Sequence, residues 1–388
     1  MICRPWSGIS DRSITMERNV VFVGGGHAHL TALRELRDLR NSNAQVTLIS
    51  PSGYHYYSGM GPGMLSGCYR PQEVRFHVRK MVEDRGASFI EDAVTQVDPK
   101  KRTLLLRSGR TVPYDIVSFN TGSEIPFPGP ERLQDNIFTV KPIINLLSAR
   151  EYVLQRIADR QLHICVIGGG PAGVELAGNV WKIADDAGRE ITITLLAGTR
   201  LLKHLPDKVR SLCYKSLTER SVTIVEGRHV RQAADGVVAL DDDSVIPYDM
   251  ALLATGVTPP ALLKRSGLPV GEDGGLLVNS FLQCVRYPEI FGGGDCISLE
   301  HERLLRVGVH AVRQNPILYR NLLASLRGGR LLEFIPQQAY LLIFNMGNGR
   351  GIFWRGNLVW DGRLAFKLKD YIDRSFMRKF QVSGELDE

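Results

Sequence analysis

Val21-Phe-Val-Gly-Gly-Gly-His-Ala-His-Leu30 is the stretch on which the fold turns. An apolar, β-branched run from Asn19 to Val23 breaks into glycines and resumes as a helix-like segment from Leu30 to Leu39. A strand, glycine turn and helix in that order point backbone N–H groups and the positive end of a helix dipole at a pyrophosphate. Gly24 permits the tight turn and Gly26 lets a phosphate approach the backbone. The third glycine of a G-x-G-x-x-G is missing: His29 stands where a small residue ordinarily lets helix and strand pack closely.

The same devices return further along. Leu162-His-Ile-Cys-Val-Ile-Gly-Gly-Gly-Pro-Ala-Gly-Val-Glu-Leu-Ala-Gly178 is again strand, turn and helix, now with a full G-x-G-x-x-G at Gly168, Gly170 and Gly173. Tyr114-Asp-Ile-Val-Ser-Phe-Asn-Thr-Gly122 and Tyr248-Asp-Met-Ala-Leu-Leu-Ala-Thr-Gly256 close the two units in the same way. One order of devices, repeated at a spacing of about 140 residues, is an internal duplication. Second strands are expected at Gln45–Ile49 and Ile191–Leu195. Short strands at Ala87–Ile90, Ala93–Val97, Thr103–Arg107 and Thr111–Pro113 have counterparts at Val222–Val225, Gly236–Leu240 and Val245–Pro247. Pro126–Pro130 reads as a linker.

Phe291-Gly-Gly-Gly-Asp295-Cys296 delivers an acid after glycines, and a helix is expected to begin at Val307. Asp295 is placed to accept from polyol hydroxyls, and the helix start to stabilise negative charge on a reduced ring. From Arg330 the pattern changes to antiparallel strands at Tyr340–Phe344, Gly351–Trp354 and Leu358–Trp360. A helix over Leu364–Phe380 then alternates Phe366, Ile372 and Phe376 with Lys367, Lys369, Arg374, Arg378 and Lys379. Either it packs on the domain or it lies on an anionic membrane surface.

The 388 residues, 44% hydrophobic and 23% charged, are those of a globular enzyme with ample core. A net charge of +7 suits an anionic cofactor or membrane surface. No basic stripe with interleaved aromatics argues for nucleic acid, and no run is long enough to span a membrane. Cys3, Cys68, Cys165, Cys213, Cys284 and Cys296 form no C-x-x-C, as for free thiols in a reducing, cytoplasmic setting, and no metal site is expected. Residues 1–17 are polar, read as a disordered N-terminus, and Met16 is an alternative start.

The motifs GGGHAHL, YYSGMGPGMLSG, Val140-Lys-Pro142, GGGDC, AVRQNP and KLKDYIDRSFMRKF together resemble the two-dinucleotide-binding flavoproteins of the pyridine nucleotide-disulfide oxidoreductase superfamily. Within these the chain looks like the type II NADH dehydrogenase group, and closer still like the subfamily sometimes fused to selenide, water dikinase. The resemblance spans roughly residues 18–385. It implies an α/β fold with two Rossmann-like domains, one inserted in the other, plus a C-terminal α+β domain. The expected bounds are 18–140 with 262–329 for FAD, 141–261 for NAD(P)H, and 330–388 for the sheet and amphipathic helix.

FAD is then implied at Gly24, Gly25, Gly26, His27, Ala28, Ser50, Thr121, Gly122, Gly294, Asp295 and Val307, and NAD(P)H at Gly168, Gly170, Gly173, Arg200 and Gly256. Ser50 stands where an acid often binds ribose; either it makes that bond or the ribose is held differently. Hydride passes from NAD(P)H to flavin and electrons then go to a quinone or another small-molecule acceptor. The resemblance further implies Glu175 in hydride-donor positioning or proton relay, Lys141 as a positive charge beside the ring, and Gln314 facing the quinone. The bland alternatives are a helix-dipole glutamate, a solvated loop lysine and, for the nearby His310, a packed helix residue. Arg200 replaces the acid that binds an NAD 2′-hydroxyl, which hints at NADPH. Met60 occupies the place of a redox cysteine, and Cys68 is expected as a buried structural thiol. Two other functions stay open: a sulfide- or thiol-handling flavoenzyme using Cys68 or Cys296, and a redox-sensing flavoprotein without turnover. A site on the inner face of a membrane and a homodimer complete the expectations.

Overall fold

A computed structural model of the chain describes residues 17–126, 134–337 and 339–387. The reading of 1–16 as disordered, the alternative start at Met16, and positions 127–130 of the linker lie outside them. Two five-stranded sheets carry the architecture, and they are built to one plan. The first runs Ile290–Gly292, Ile116–Phe119, Arg18–Val23, Ala44–Ser50, Ser88–Glu91, and every pairing is parallel. The second runs Ile137–Thr139, Met250–Leu253, Leu162–Ile167, Ile191–Leu196, Val222–Val225, again all parallel. Each central strand ends in four consecutive buried apolar residues, at 20–23 and 164–167, as a sheet covered on both faces requires.

The repeated Tyr-Asp has a structural job. Asp115 accepts from Asn19 N–H at 2.7 Å, and Asp249 accepts from His163 N–H at 2.7 Å. Each carboxylate thus satisfies a backbone donor near the start of a central strand. Each lobe also carries a three-stranded antiparallel meander: Val94–Asp98, Thr103–Leu106, Thr111–Pro113, and Val230–Ala234, Val237–Leu240, Val245–Pro247. The duplication inferred from sequence therefore extends to topology, including a register shift in the first strand of both meanders.

Some details differ from the sequence reading. Ile137–Thr139, on the N-terminal side of the expected boundary at 141, completes the second sheet by pairing with Met250–Leu253. The expected helix over Leu30–Leu39 is two short ones, Leu30–Arg34 and Leu36–Arg40, preceded by a 3₁₀ turn at His27–His29. The helix Asn145–Arg156, which carries no capping side chain, was not legible at all.

The C-terminal unit is a three-stranded antiparallel sheet, Leu342–Asn345, Gly351–Arg355 and Leu358–Gly362, followed by the helix Arg363–Phe380. It docks on the helix Pro171–Asp186 where two glycines meet: a Cβ on Gly178 would lie 2.6 Å from Met346 O, and one on Gly347 2.1 Å from Gly178 O. The terminal helix buries Ala365, Lys369, Asp373, Met377 and Phe380, a stripe at near four-residue spacing. Phe376 turns inward too, onto Tyr57 at 4.9 Å and His27 at 6.0 Å. Leu364 and Tyr371 remain exposed, at 71% and 66%, among Lys367, Arg378 and Lys379. No helix among the described residues is long and apolar enough to cross a membrane.

Candidate active site

Both glycine turns sit at the C-terminal ends of the central strands, where open α/β sheets bind ligands. In the second lobe Gly168 has φ +133°, and a Cβ on Gly173 would come within 1.8 Å of the Gly168 carbonyl oxygen. Only glycine fits there. A Cβ on Gly170 would meet nothing within 4 Å, so the space before the helix Pro171–Asp186 is open to a phosphate. Gly122 and Gly256, closing the two units, likewise face open space.

The first lobe solves the same problem with His29. Its ring is fully buried and packs edge-on against Phe22 at 4.9 Å. Nδ1–H donates to Gly24 O at 2.6 Å, which leaves Nε2 to accept from Ser118 Oγ–H at 2.8 Å. The imidazole thus takes up the carbonyl that the third glycine of the second lobe packs against. A residue the sequence pattern marked only as a departure is a structural tie.

Asn120 is the residue the sequence reading missed. Its Oδ1 accepts from Ala28 N–H at 3.0 Å, and its Nδ2 donates to Gly293 O at 2.6 Å. A Cβ on Gly26 would lie 2.2 Å from Asn120 Oδ1, and one on Gly294 2.4 Å from Asn120 Nδ2. One buried amide therefore locks the glycine turn to GGGDC. The helix Gly308–Arg327, with Val307 as its N-cap, braces the same point: Gln314 Oε1 accepts from Gly294 N–H at 2.6 Å and Asn315 Oδ1 from Thr31 N–H at 2.7 Å. The side-chain oxygen of Gln314, expected to face a quinone, is committed to the backbone.

Lys141 and Asp295, 154 residues apart, are brought together. Lys141 Nζ lies 2.6 Å from Asp295 Oδ2 and 2.5 Å from Ser123 Oγ, so Lys141 is not a solvated loop lysine. Burial would raise the Asp295 carboxyl, but the Lys141 charge and the hydrogen bonds from Lys141 and Ser123 hold it below its ordinary value. His310 and Gln314 line, with Asp295 and Leu304, a cavity of about 680 Å³. His310 is buried with Nδ1 unpartnered among the described residues.

On the other side stands a buried polar network. Glu175 Oε1 accepts from Asn345 N–H at 2.7 Å. Lys369 Nζ donates to Asp373 Oδ2 at 2.6 Å and to Gly59 O at 2.6 Å, and Tyr57 O–H donates to Asp373 Oδ1 at 3.0 Å. Burial pushes the Glu175 carboxyl up to about 7, against the pull of Lys369. Four segments meet here: the second-lobe helix, the aromatic loop, the strand Leu342–Asn345 and the terminal helix. His55 stacks on Phe76 and Tyr57 packs against Phe376.

Other predicted residues are engaged elsewhere. Ser50 donates to Ser52 O at 3.0 Å. Arg200 pairs with Asp207 at 2.6 Å on the surface, beside Thr199 and His229, which are 3.2 Å apart. Cys68 is exposed rather than buried, because the helix Gly61–Ser66 ends at Gly67 with φ +83° and frees the next residue. Met60 is buried. The Cys296 thiol is buried, pushed up by that burial, and donates toward Gly293 O at 3.3 Å.

His27 and His29 are both held near 4 by burial, His27 also by the Lys141 charge. A histidine whose folded value lies below its unfolded one stabilises the fold above the unfolded value, and that stability is lost as pH falls toward the folded one. The stability, and with it the Tm, should therefore fall between pH 6.5 and 4, the stability by an amount on the order of 3 kcal/mol per histidine at the acid end. Glu175, raised, acts with the opposite sign over part of that window, against His27, His29 and His55, which burial also lowers. Thermal melts across this range check it, and the slope should flatten in His29→Gln; a Tm independent of pH would contradict it.

The residues present fit two dinucleotides: a Cβ is excluded at Gly24 and Gly26 in one cradle and at Gly168 and Gly173 in the other, with open space before a helix start. The model of the family described as pyridine nucleotide-disulphide oxidoreductase matches residues 18–315. The chain is 26% identical over 378 residues to ferroptosis suppressor protein 1 of Taeniopygia guttata, covering 94% of this chain and 96% of that one. It is 23% identical over 330 residues to the mitochondrial external alternative NAD(P)H-ubiquinone oxidoreductase B3 of Arabidopsis thaliana, covering 75% of this chain and 56% of the relative. Its fold is similar to that of NDH2 from Plasmodium falciparum in complex with NADH, with a TM-score of 0.77 at 14% identity over 95% and 98% of the two chains. The twofold repeat of sheet, meander and glycine turn thus has a family attached to it, and the chain belongs to the pyridine nucleotide-disulphide oxidoreductases.

Proposed function

We propose that this protein is an NAD(P)H:quinone oxidoreductase of the type II NADH dehydrogenase kind. As a member of its family it is an oxidoreductase whose cofactors are FAD and NAD(P)H. The observation that carries the proposal is the pair of like-ordered sheets, each presenting a glycine cradle to the region where Lys141, Asp295, Tyr57 and Glu175 gather. A relative named as an NAD(P)H-ubiquinone oxidoreductase supports the acceptor. The likeness to the group sometimes fused to selenide, water dikinase rests on GGGHAHL, YYSGMGPGMLSG, Val140-Lys-Pro142, GGGDC, AVRQNP and KLKDYIDRSFMRKF.

In this reading Gly24, Gly25, Gly26, His27, Ala28, Thr121, Gly122, Gly294 and Asp295 hold FAD, with Val307 at the start of the helix behind them. Gly168, Gly170, Gly173 and Gly256 hold NAD(P)H, with Arg200 at the far end of its cradle. FAD, when bound, accepts two electrons from NAD(P)H and passes them on. The protein's own part is to bind, orient and manage charge. Lys141 keeps Asp295 ionised. Glu175, near 7, can hold or release a proton at working pH. Leu364, Tyr371 and Ile372 with Lys367, Arg378 and Lys379 give the terminal helix a face suited to an anionic membrane surface on the cytoplasmic side.

The test is anaerobic. Purified protein should be yellow, bleach with NADH or NADPH, and recover colour with a soluble quinone. A flavin that stays oxidised with both nucleotides would sink the proposal. Bleaching by sulfide in place of a nicotinamide, or recovery with a disulfide and not with quinone, would favour the thiol reading. That reading has no support from Cys296, whose thiol is buried and bonded.

A further inference from the structure

The first glycine turn ends in a pair of imidazoles. His27 follows Gly26 directly and is buried. Its Nδ1 lies 3.1 Å from Nε2 of His55, and the two rings meet edge to face at 4.6 Å. Tyr57 at 5.3 Å and Phe376 at 6.0 Å lie against the His27 ring. His27 Nε2 is buried and has no partner among the described residues. His55 is half-buried, on the two-stranded ribbon it forms with Arg75–Phe76. The Lys141 charge, itself ion-paired with Asp295 in the cradle, adds to burial in lowering both imidazoles.

Two ring nitrogens 3.1 Å apart share one proton: one donates and the other accepts. Burial holds both rings well below the ordinary histidine value, so at pH 7 both are neutral. The neutral pair has two arrangements. When His55 donates, His27 carries its proton on Nε2. When His27 donates, its Nε2 is a bare acceptor. A buried polar atom left unpaired is costly, and the cost is recovered when a polar atom of a bound molecule meets it. A lone structural histidine would have one fixed tautomer; this one is coupled to a second ring that can reverse it.

We propose that His27 and His55 form a two-imidazole relay that supplies the solution proton consumed in quinone reduction, with His27 Nε2 at the bound-molecule end and His55 at the solvent end. This rests on the quinone reading. The overall balance is NAD(P)H plus one proton plus quinone, giving NAD(P)⁺ plus quinol. His55 takes a proton at Nδ1 and passes the one on Nε2 to His27 Nδ1. His27 releases its Nε2 proton to the acceptor oxygen. Each passage leaves both rings in the other tautomer; once the quinol has left, His27 takes a proton from water at Nε2, passes the one on Nδ1 back to His55 Nε2, and His55 returns one to solvent from Nδ1, which restores the start with no net proton gained or lost. The other titratable groups facing the pair are Lys141, Tyr57 and, through Tyr57, Asp373 and Glu175.

The experiment uses the full chain carrying its flavin, with His55→Gln and His55→Phe. Nitrogen-15 histidine NMR at pH 7 should show His27 neutral and hydrogen-bonded at Nδ1 in the wild type. In His55→Phe that signal should move to the value of a free ring nitrogen while His29 stays put. In stopped flow, reoxidation by a soluble quinone should slow about 10–100-fold in both variants, since neither side chain can relay a proton. Reduction by NAD(P)H should change by no more than about twofold, and added imidazole should restore part of the loss in His55→Phe. Glutamine keeps a hydrogen-bond donor against His27, so that variant reports on relay even if phenylalanine disturbs the ribbon. Equal slowing of both half-reactions, or wild-type reoxidation in His55→Gln, overturns the relay. A wild type that never reduces quinone overturns the functional reading instead.

Discussion

Asn120→Asp should cost the protein most of its first cradle. The two side chains are nearly identical in shape, so the change is chemical. Oδ1 still accepts from Ala28 N–H, but the group that donated to Gly293 O becomes an oxygen, facing a carbonyl oxygen at 2.6 Å. Asn120 is 5% exposed, with no cation bonded to it, so an ionised aspartate would be buried and uncompensated. Such a charge costs about 3–5 kcal/mol, and a protonated one still loses the ordering of the donor it replaces. We expect a fall in Tm of about 5 °C and purification with little or no flavin. Asn120→Ser, which removes the clash of oxygens without adding a charge, should fall between the two. An Asn120→Asp protein that keeps wild-type flavin content and melting would show that the amide does not hold the turn to GGGDC.

That the residue with the largest expected effect was missed says what the sequence made legible. Glycines, Thr-Gly closes and Tyr-Asp starts announce themselves because each is a backbone requirement tied to a fixed position in a repeat. Asn120 stands where the second lobe has Ala254, so the repeat itself hid it. Its role depends on Ala28 and Gly293, 92 and 173 residues away, and no local pattern encodes such a meeting. His29 was visible only as the wrong residue in a motif, since the carbonyl it serves belongs to a turn whose geometry had to be seen. The parallel strands and the terminal helix were legible because a covered strand is uniformly apolar and a packed helix is periodic. The polarity of that helix misled for the same reason: Lys369 and Asp373, ordinarily solvent residues, are its most buried charged positions. Paired ions inside cannot be told from paired ions outside by composition.

Those two residues give the second large effect. Lys369→Met keeps the length of the side chain and deletes its charge. Asp373 would then retain Tyr57 O–H as a donor but no counter-ion, and the Gly59 carbonyl would lose its partner. Breaking a buried pair from one side costs about 3–5 kcal/mol. The electrostatic consequence reaches further. Lys369 favours the ionised form of Glu175, while burial and Asp373 oppose it. Removing the cation therefore raises Glu175 above its value of about 7, so that at pH 7 the carboxyl is held more fully protonated. If Glu175 works as an ionised group, the acid limb of turnover against pH should move to more alkaline values and activity at pH 7 should drop. The double variant Lys369→Met with Asp373→Asn removes both charges. It should recover part of the lost stability and bring the limb back toward the wild type, because the two influences on Glu175 have opposite sign. Stability and the pH limb then report on one network through two measurements. A Lys369→Met enzyme that loses stability but keeps its pH profile would confine the pair to holding the terminal helix and separate Glu175 from it.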